Sequence, residues 1–150
     1  MKTRGERMSY LILVSHGRFS EGLKDALSMF VGDSIHTVKA IGLQSGEDTI
    51  SFGNRFKSLL SDIGSDADLV VLGDIIGGSP LTTVCNILEQ AGRLSTTVVL
   101  GGMNFPMALN AAILKDTSSS QDLISATLLE ASSAVKQFTV HHEDDEDEEI

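Results

Sequence analysis

The 150-residue chain predicts one α/β domain: a doubly wound, mainly parallel sheet in strand order 2-1-3-4, helices on both faces, and a short C-terminal antiparallel strand. Three observations predict it. Short β-forming runs alternate with stretches of helical period. One run, Leu69 to Gly73 (LVVLG), is apolar on both faces, as a central parallel strand must be. The residues with unusual chemistry all fall at the carboxyl ends of predicted strands, the rim where open α/β sheets bind their ligands.

Tyr10 to Val14 reads as the first strand. Phe19, Leu23, Ala26, Leu27 and Phe30 follow at spacings of three and four, one face of a helix. Ile35 to Ile41 reads as a second strand, and Phe52, Phe56, Leu59, Leu60 and Ile63 mark a second amphipathic helix. After the LVVLG strand, Ser79-Pro80 predicts a helix start, with serine as cap and proline in the first turn. Leu81, Val84, Cys85 and Leu88 form its inner face, and Gly92 ends it. Thr96 to Leu100 is the fourth strand, and Pro106 starts a helix to about Leu114. Leu123, Leu128 and Ala131 belong to a last helix, and Val135 to Val140 reads as a final short strand.

Composition narrows the function classes. The net charge is −10, but Glu143 to Glu149 (EDDEDEE) supply seven of the 21 acidic residues; the other 14, against 11 basic ones, leave the body at −3. A like-charge block of this kind repels itself, so residues 141–150 read as a disordered acidic tail and 1–8 as a disordered arm, with the domain at 9–140. An acidic chain with one tyrosine and no tryptophan argues against nucleic-acid binding. The start, MKTRGERMSY, lacks the apolar stretch of a signal peptide, and the single cysteine, Cys85, fits a reducing compartment; both point to the cytoplasm. His141 and His142 fix no coordination geometry, so no metal is assigned, and no cofactor is expected.

The chemistry lies at the rim. The first strand ends in Ser15-His16-Gly17, the third in Asp74 followed by IIGGSP, the fourth in Gly101-Gly102-Met103-Asn104. In the order 2-1-3-4, strands one and three are neighbours ~5 Å apart. Asp74 would then accept one ring N–H of His16 and fix its tautomer. The other nitrogen's lone pair would face outward, ready for nucleophilic attack. The surroundings suit an anion: Gly17 lets backbone approach closely, and Gly77, Gly78 and Ser79 precede a second helix whose amides and dipole attract negative charge. A neutral histidine, an orienting aspartate and two helix N-termini fit transient capture of a phosphoryl group, with Ser15, Gly17, Gly77, Gly78 and Ser79 lining the site.

Rival readings fare less well. A serine hydrolase built on Ser79 would need an oxyanion N–H from the next residue, but Pro80 has none. A receiver-like module phosphorylated on Asp74 would need carboxylates after the first strand, where this chain has Ser15-His16. Neither G-x-x-x-x-G-K-[ST] nor G-x-G-x-x-G occurs, which removes the common nucleotide sites.

VSHGRFSEGL, LGDIIGGSP and GGMNFPMAL, in that order after strands one, three and four, resemble the enzyme IIA domain of the mannose-family sugar phosphotransferase system, over about Ser9 to Val140. The resemblance implies a cytoplasmic carrier that accepts phosphate from phospho-HPr on the Nε2 nitrogen of His16. It would pass the phosphate to an enzyme IIB, and so indirectly serve a membrane IIC/IID permease with which it associates peripherally. It also implies a homodimer that exchanges the last strand, here Val135 to Val140. The acidic tail stands where fused members continue into a IIB domain, so a separate IIB is expected. Leu81-Thr82 after GGSP, and NFPM in place of the commoner NLPM, depart from the pattern. The phosphotransfer subunit of dihydroxyacetone kinase, which shares the fold and the histidine, stays open as an alternative, as does the receiver-like module.

Overall fold

The computed structural model describes residues 7–141; most of the expected arm and of the acidic tail lie outside them. Four strands, β1 (Ser9–His16), β2 (Val38–Leu43), β3 (Asp68–Gly73) and β4 (Val98–Leu100), form one parallel sheet in the order β2-β1-β3-β4. Five α-helices accompany them among the described residues: α1 (Phe19–Val31), α2 (Thr49–Ile63), α3 (Ser79–Gln90), α4 (Phe105–Leu114) and α5 (Ser120–Ser133).

The period-two alternation of strand side chains sorts the core into two halves. Leu11 and Leu13 of β1 and Val70 and Leu72 of β3 face α1, α4 and α5, where they meet Leu23, Leu27, Met107, Ala108 and Leu123. Ile12, Val14, Leu69 and Val71 face the other way, onto Phe52, Phe56 and Leu60 of α2 and Val84 and Leu88 of α3. Each fully buried Leu, Val or Phe contributes about 1.5–3 kcal/mol relative to leaving it in water. Because both faces of the central strands are covered, the parallel reading of LVVLG holds.

Several local expectations shift. Residues 32–37 form a 3-10 turn, in which Thr37 Oγ1 donates to the Ser34 carbonyl at 2.9 Å, so β2 begins at Val38 rather than Ile35. Thr96 likewise falls in a 3-10 turn, and β4 begins at Val98. Ser79 does not cap α3. Gly78 occupies that position in an extended conformation, and Ser79 is already the first helical residue. Gly92 does end α3, at φ +71°. On α1, Phe19 and Phe30 of the expected face are exposed; the buried positions are Ser20, Leu23 and Leu27. On α5 the buried positions are Leu123, Thr127 and Ala131, and Leu128 is exposed.

Residues 135–140 form no strand in this chain. Val135, Phe138 and Val140 are exposed, and the segment does not join the four-stranded sheet. The short antiparallel strand of the expected architecture is therefore not made within one chain.

Candidate functional site

Because the sheet is parallel, the ends of β1 and β3 lie side by side at one rim, Val14 paired with Gly73. The order reverses between these two strands, so the crevice beyond them is the topological switch point. His16 is the last residue of β1, and Asp74 follows β3 directly.

The two side chains meet. Asp74 Oδ2 lies 2.9 Å from His16 Nδ1 and also accepts the His16 backbone N–H at 2.9 Å. Asp74 Oδ1 accepts the Ile75 N–H at 2.9 Å, and the Asp74 N–H donates to the Val14 carbonyl at 3.1 Å. Partial burial is the largest single influence on the carboxyl and would raise its pKa. The N–H donors from His16 and Ile75, with the His16 charge, outweigh burial, and the net displacement is downward. Asp74 is therefore an ionised, acceptor-only group, so the hydrogen between it and His16 belongs to Nδ1. In the neutral ring the lone pair is then left on Nε2. The imidazole is half exposed, whereas the carboxylate is largely covered.

The surrounding backbone explains the glycines. Gly17 (φ +56°) and Gly77 (φ +87°) occupy left-handed conformations that disfavour any β-carbon. Gly78 is extended, and its role is steric: a β-carbon there would stand 3.0 Å from His16 Cε1, so the imidazole packs directly on the start of α3. Helix capping is uneven in a telling way. Side chains cap α2 (Asp48), α4 (Asn104) and α5 (Ser119), whereas the cap residues of α1 and α3, the helices that begin beside His16, make no such bond. At α3 the first-turn N–H groups of Ser79 and Leu81 are thus left without a side-chain partner, whereas at α1 the Ser20 N–H is taken by Ser15 Oγ.

Of the expected site residues, His16, Asp74, Gly17, Gly77, Gly78 and Ser79 gather at this rim. The side chain of Ser15 does not join them. It alternates to the opposite face of β1, is fully buried, and its Oγ accepts the Ser20 N–H at 2.8 Å, fixing the first turn of α1. Asn104, whose Oδ1 accepts the Met107 N–H, is a helix cap that also ties α4 to α5 through its amide and the Ala131 carbonyl.

Sequence reasoning missed the steric role of three glycines and one ion pair. A β-carbon on Gly42 would collide with the carbonyl oxygen of Gly17, one on Gly73 with Leu81, and one on Gly101 with Ile76. Arg55 grips Glu47 with two hydrogen bonds, at 2.9 and 2.6 Å, and donates to the Gly42 carbonyl at 2.7 Å. Hydrogen bonding to that guanidinium, followed by the Gln44 N–H, holds the Glu47 carboxyl down at about 2. The only sequence signal for this pair was an acid and an arginine eight residues apart across a loop-to-helix junction.

The profile of EIIA-man, described as the PTS system fructose IIA component, matches residues 10–128. The chain belongs to the EIIA-man family. A relative from Bacillus subtilis (strain 168), the PTS system fructose-specific EIIA component, is 25% identical over 117 residues, 78% of this chain and 77% of that protein. Among solved structures, the mannose/sorbose specific IIA subunit of the phosphotransferase system from Enterococcus faecalis superposes with a TM-score of 0.73 at 25% identity, covering 90% of this chain and 98% of that one. Phosphotransferase system component EIIA from Streptococcus agalactiae gives 0.75 at 21% identity over 87% and 98%, a likeness that speaks for the fold. As an EIIA-man protein the chain is a component of a sugar phosphotransferase system, with a part in phosphoryl transfer. No helix among the described residues is long and apolar enough to cross a membrane.

Proposed function

We propose that this EIIA-man protein is a phosphohistidine carrier: His16 takes a phosphoryl group from phospho-HPr on Nε2 and hands it to an enzyme IIB. The observation that carries the reading is the His16–Asp74 pair, with Nδ1 held by a carboxylate and the ring packed on the start of α3, which no cap side chain closes. Nε2 attacks phosphorus as the donor's N–P bond breaks, and the donor histidine leaves with the electron pair of that bond. Asp74 stabilises the positive ring that results. The amides of residues 77 and 79 and the Ser79 hydroxyl receive the phosphoryl oxygens, and little further covalent chemistry is asked of the protein.

Phe19, Ile75 and Ile76 stand exposed close to His16 in sequence or across the rim, apolar surface that suits docking of a protein donor rather than a free small molecule. Transfer between soluble partners places the carrier in the cytoplasm, peripheral to the permease it serves. The exposed segment 135–140, which pairs with no strand, fits a strand given to a second copy, which would complete the sheet at β4. Deleting Lys136 to Val140 should then convert dimers to monomers in size exclusion with light scattering; an unchanged mass would remove strand exchange.

The direct test is intact mass after incubation with phosphoenolpyruvate, enzyme I and HPr. Wild type should gain one phosphoryl group that is lost in acid and kept in alkali, and folded His16→Ala should gain none. No gain on the wild type, with an active donor, would overturn the carrier reading. A gain that is labile in alkali and survives His16→Ala would favour an acyl phosphate on Asp74.

A further inference from the structure

We infer that Arg55 and Glu47 are positioning residues for His16, a clamp that fixes the end of β2 on which the His16–Gly17 turn is built. The inference rests on the reading of His16 as phosphoryl acceptor. Neither residue touches the histidine, and the connection runs through backbone.

His16 sits between two strands. On the β3 side Asp74 holds its ring and its N–H. On the β2 side its register partner is Leu43, and the next residue, Gly17, donates its N–H to the Leu43 carbonyl at 2.7 Å. The Gly17 carbonyl packs so closely over Gly42 that no β-carbon fits there. The turn that aims His16 is therefore seated on residues 42 and 43.

That seat is the last turn of an edge strand, where pairing exists on one side only and ends fray readily. The outward Gly42 carbonyl is held instead by side chains: Arg55 Nη2 at 2.7 Å and Gln44 Nε2 at 3.1 Å. Arg55 is itself fixed from two further directions, by the fork onto Glu47 and by its position over the buried Phe52 ring, 5.5 Å from the centroid. Glu47 closes the loop by also accepting the Gln44 N–H and the Ser51 hydroxyl, both at 3.0 Å. Each Glu47 oxygen has two donors, so the network has one arrangement. A lysine at position 55 keeps the charge but cannot bridge a carboxylate and a carbonyl with a planar fork.

The test uses the full chain with Arg55→Lys and Glu47→Gln as separate variants. Two readouts are followed: the 15N shifts of the His16 ring, which report its tautomer, and the kinetics of transfer from phospho-HPr. A clamp predicts that both variants fold, that the ring loses its single Nδ1–H tautomer, and that kcat falls about 10- to 100-fold at unchanged KM. Wild-type ring shifts and rates in both variants would overturn it. So would a raised KM at unchanged kcat, which would make Arg55 a donor contact, and so would outright unfolding of both, which would mark a general structural role. The ring readout needs no phosphate. A wild type that takes up none would defeat the carrier reading while the shifts still decide the clamp.

Discussion

Asp74→Asn slows phosphoryl transfer on the order of 100-fold, because an orienting group is lost at the reacting ring. The reason is a mismatch of donors. The carboxylate accepts three N–H groups, two from His16 on Oδ2 and one from Ile75 on Oδ1. An asparagine has one acceptor end and one donor end. Whichever way the amide is turned, its NH2 faces an N–H it cannot satisfy, and the ring is no longer compelled to carry its hydrogen on Nδ1. Leaving one such group unpaired costs about 1–3 kcal/mol. The folded-state pKa of Asp74 lies below its ordinary 3.8, so this part of its stabilisation is complete above that value and is lost as pH falls through the depressed one. Urea titrations of both proteins should show a gap at neutrality whose Asp74 part is lost only as pH falls below 3.8. Equal transfer rates in the two proteins would remove Asp74 from the mechanism.

Gly42→Ala is expected to be nearly as damaging, although residue 42 carries no chemistry. Its β-carbon would overlap the Gly17 carbonyl, a backbone group that cannot rotate aside as a side chain would. Either the turn after His16 lifts or the end of β2 moves, and overpacking of this kind costs about 1–3 kcal/mol. Because the displaced turn aims the histidine, the transfer rate should fall together with stability. Denaturant unfolding alongside single-turnover transfer checks both. Wild-type values in both would show that the rim yields more easily than the packing implies.

The contrast between these two residues explains how much was legible in the sequence. Strand order and the meeting of His16 with Asp74 followed from local signals: period-two and helical runs set the elements, and the parallel topology placed the ends of strands one and three together. Position 74 was readable because its chemistry is unusual for the end of an apolar strand. Gly42 and Arg55 were not readable, because each acts through a contact whose need appears only when remote segments are packed: Gly42 against Gly17, Arg55 against Gly42. Ser79 misled for a related reason. Serine before proline is a good cap pattern, but the extended Gly78 takes the cap position and Ser79 is the first helical residue. The run at 135–140 has strand-forming residues, but it forms no strand within one chain, because a strand needs pairing with an edge and this segment pairs with none of β1 to β4.

The phosphate's attachment atom defines the working centre. The decisive measurement is the NMR spectrum of the phosphorylated, 15N-labelled protein, in which coupling to phosphorus identifies the bonded nitrogen. Held at Nδ1 by Asp74, His16 should show that coupling at Nε2 alone. Coupling at Nδ1, or phosphate on Asp74 or another side chain, would contradict the His16–Asp74 pair as the working centre.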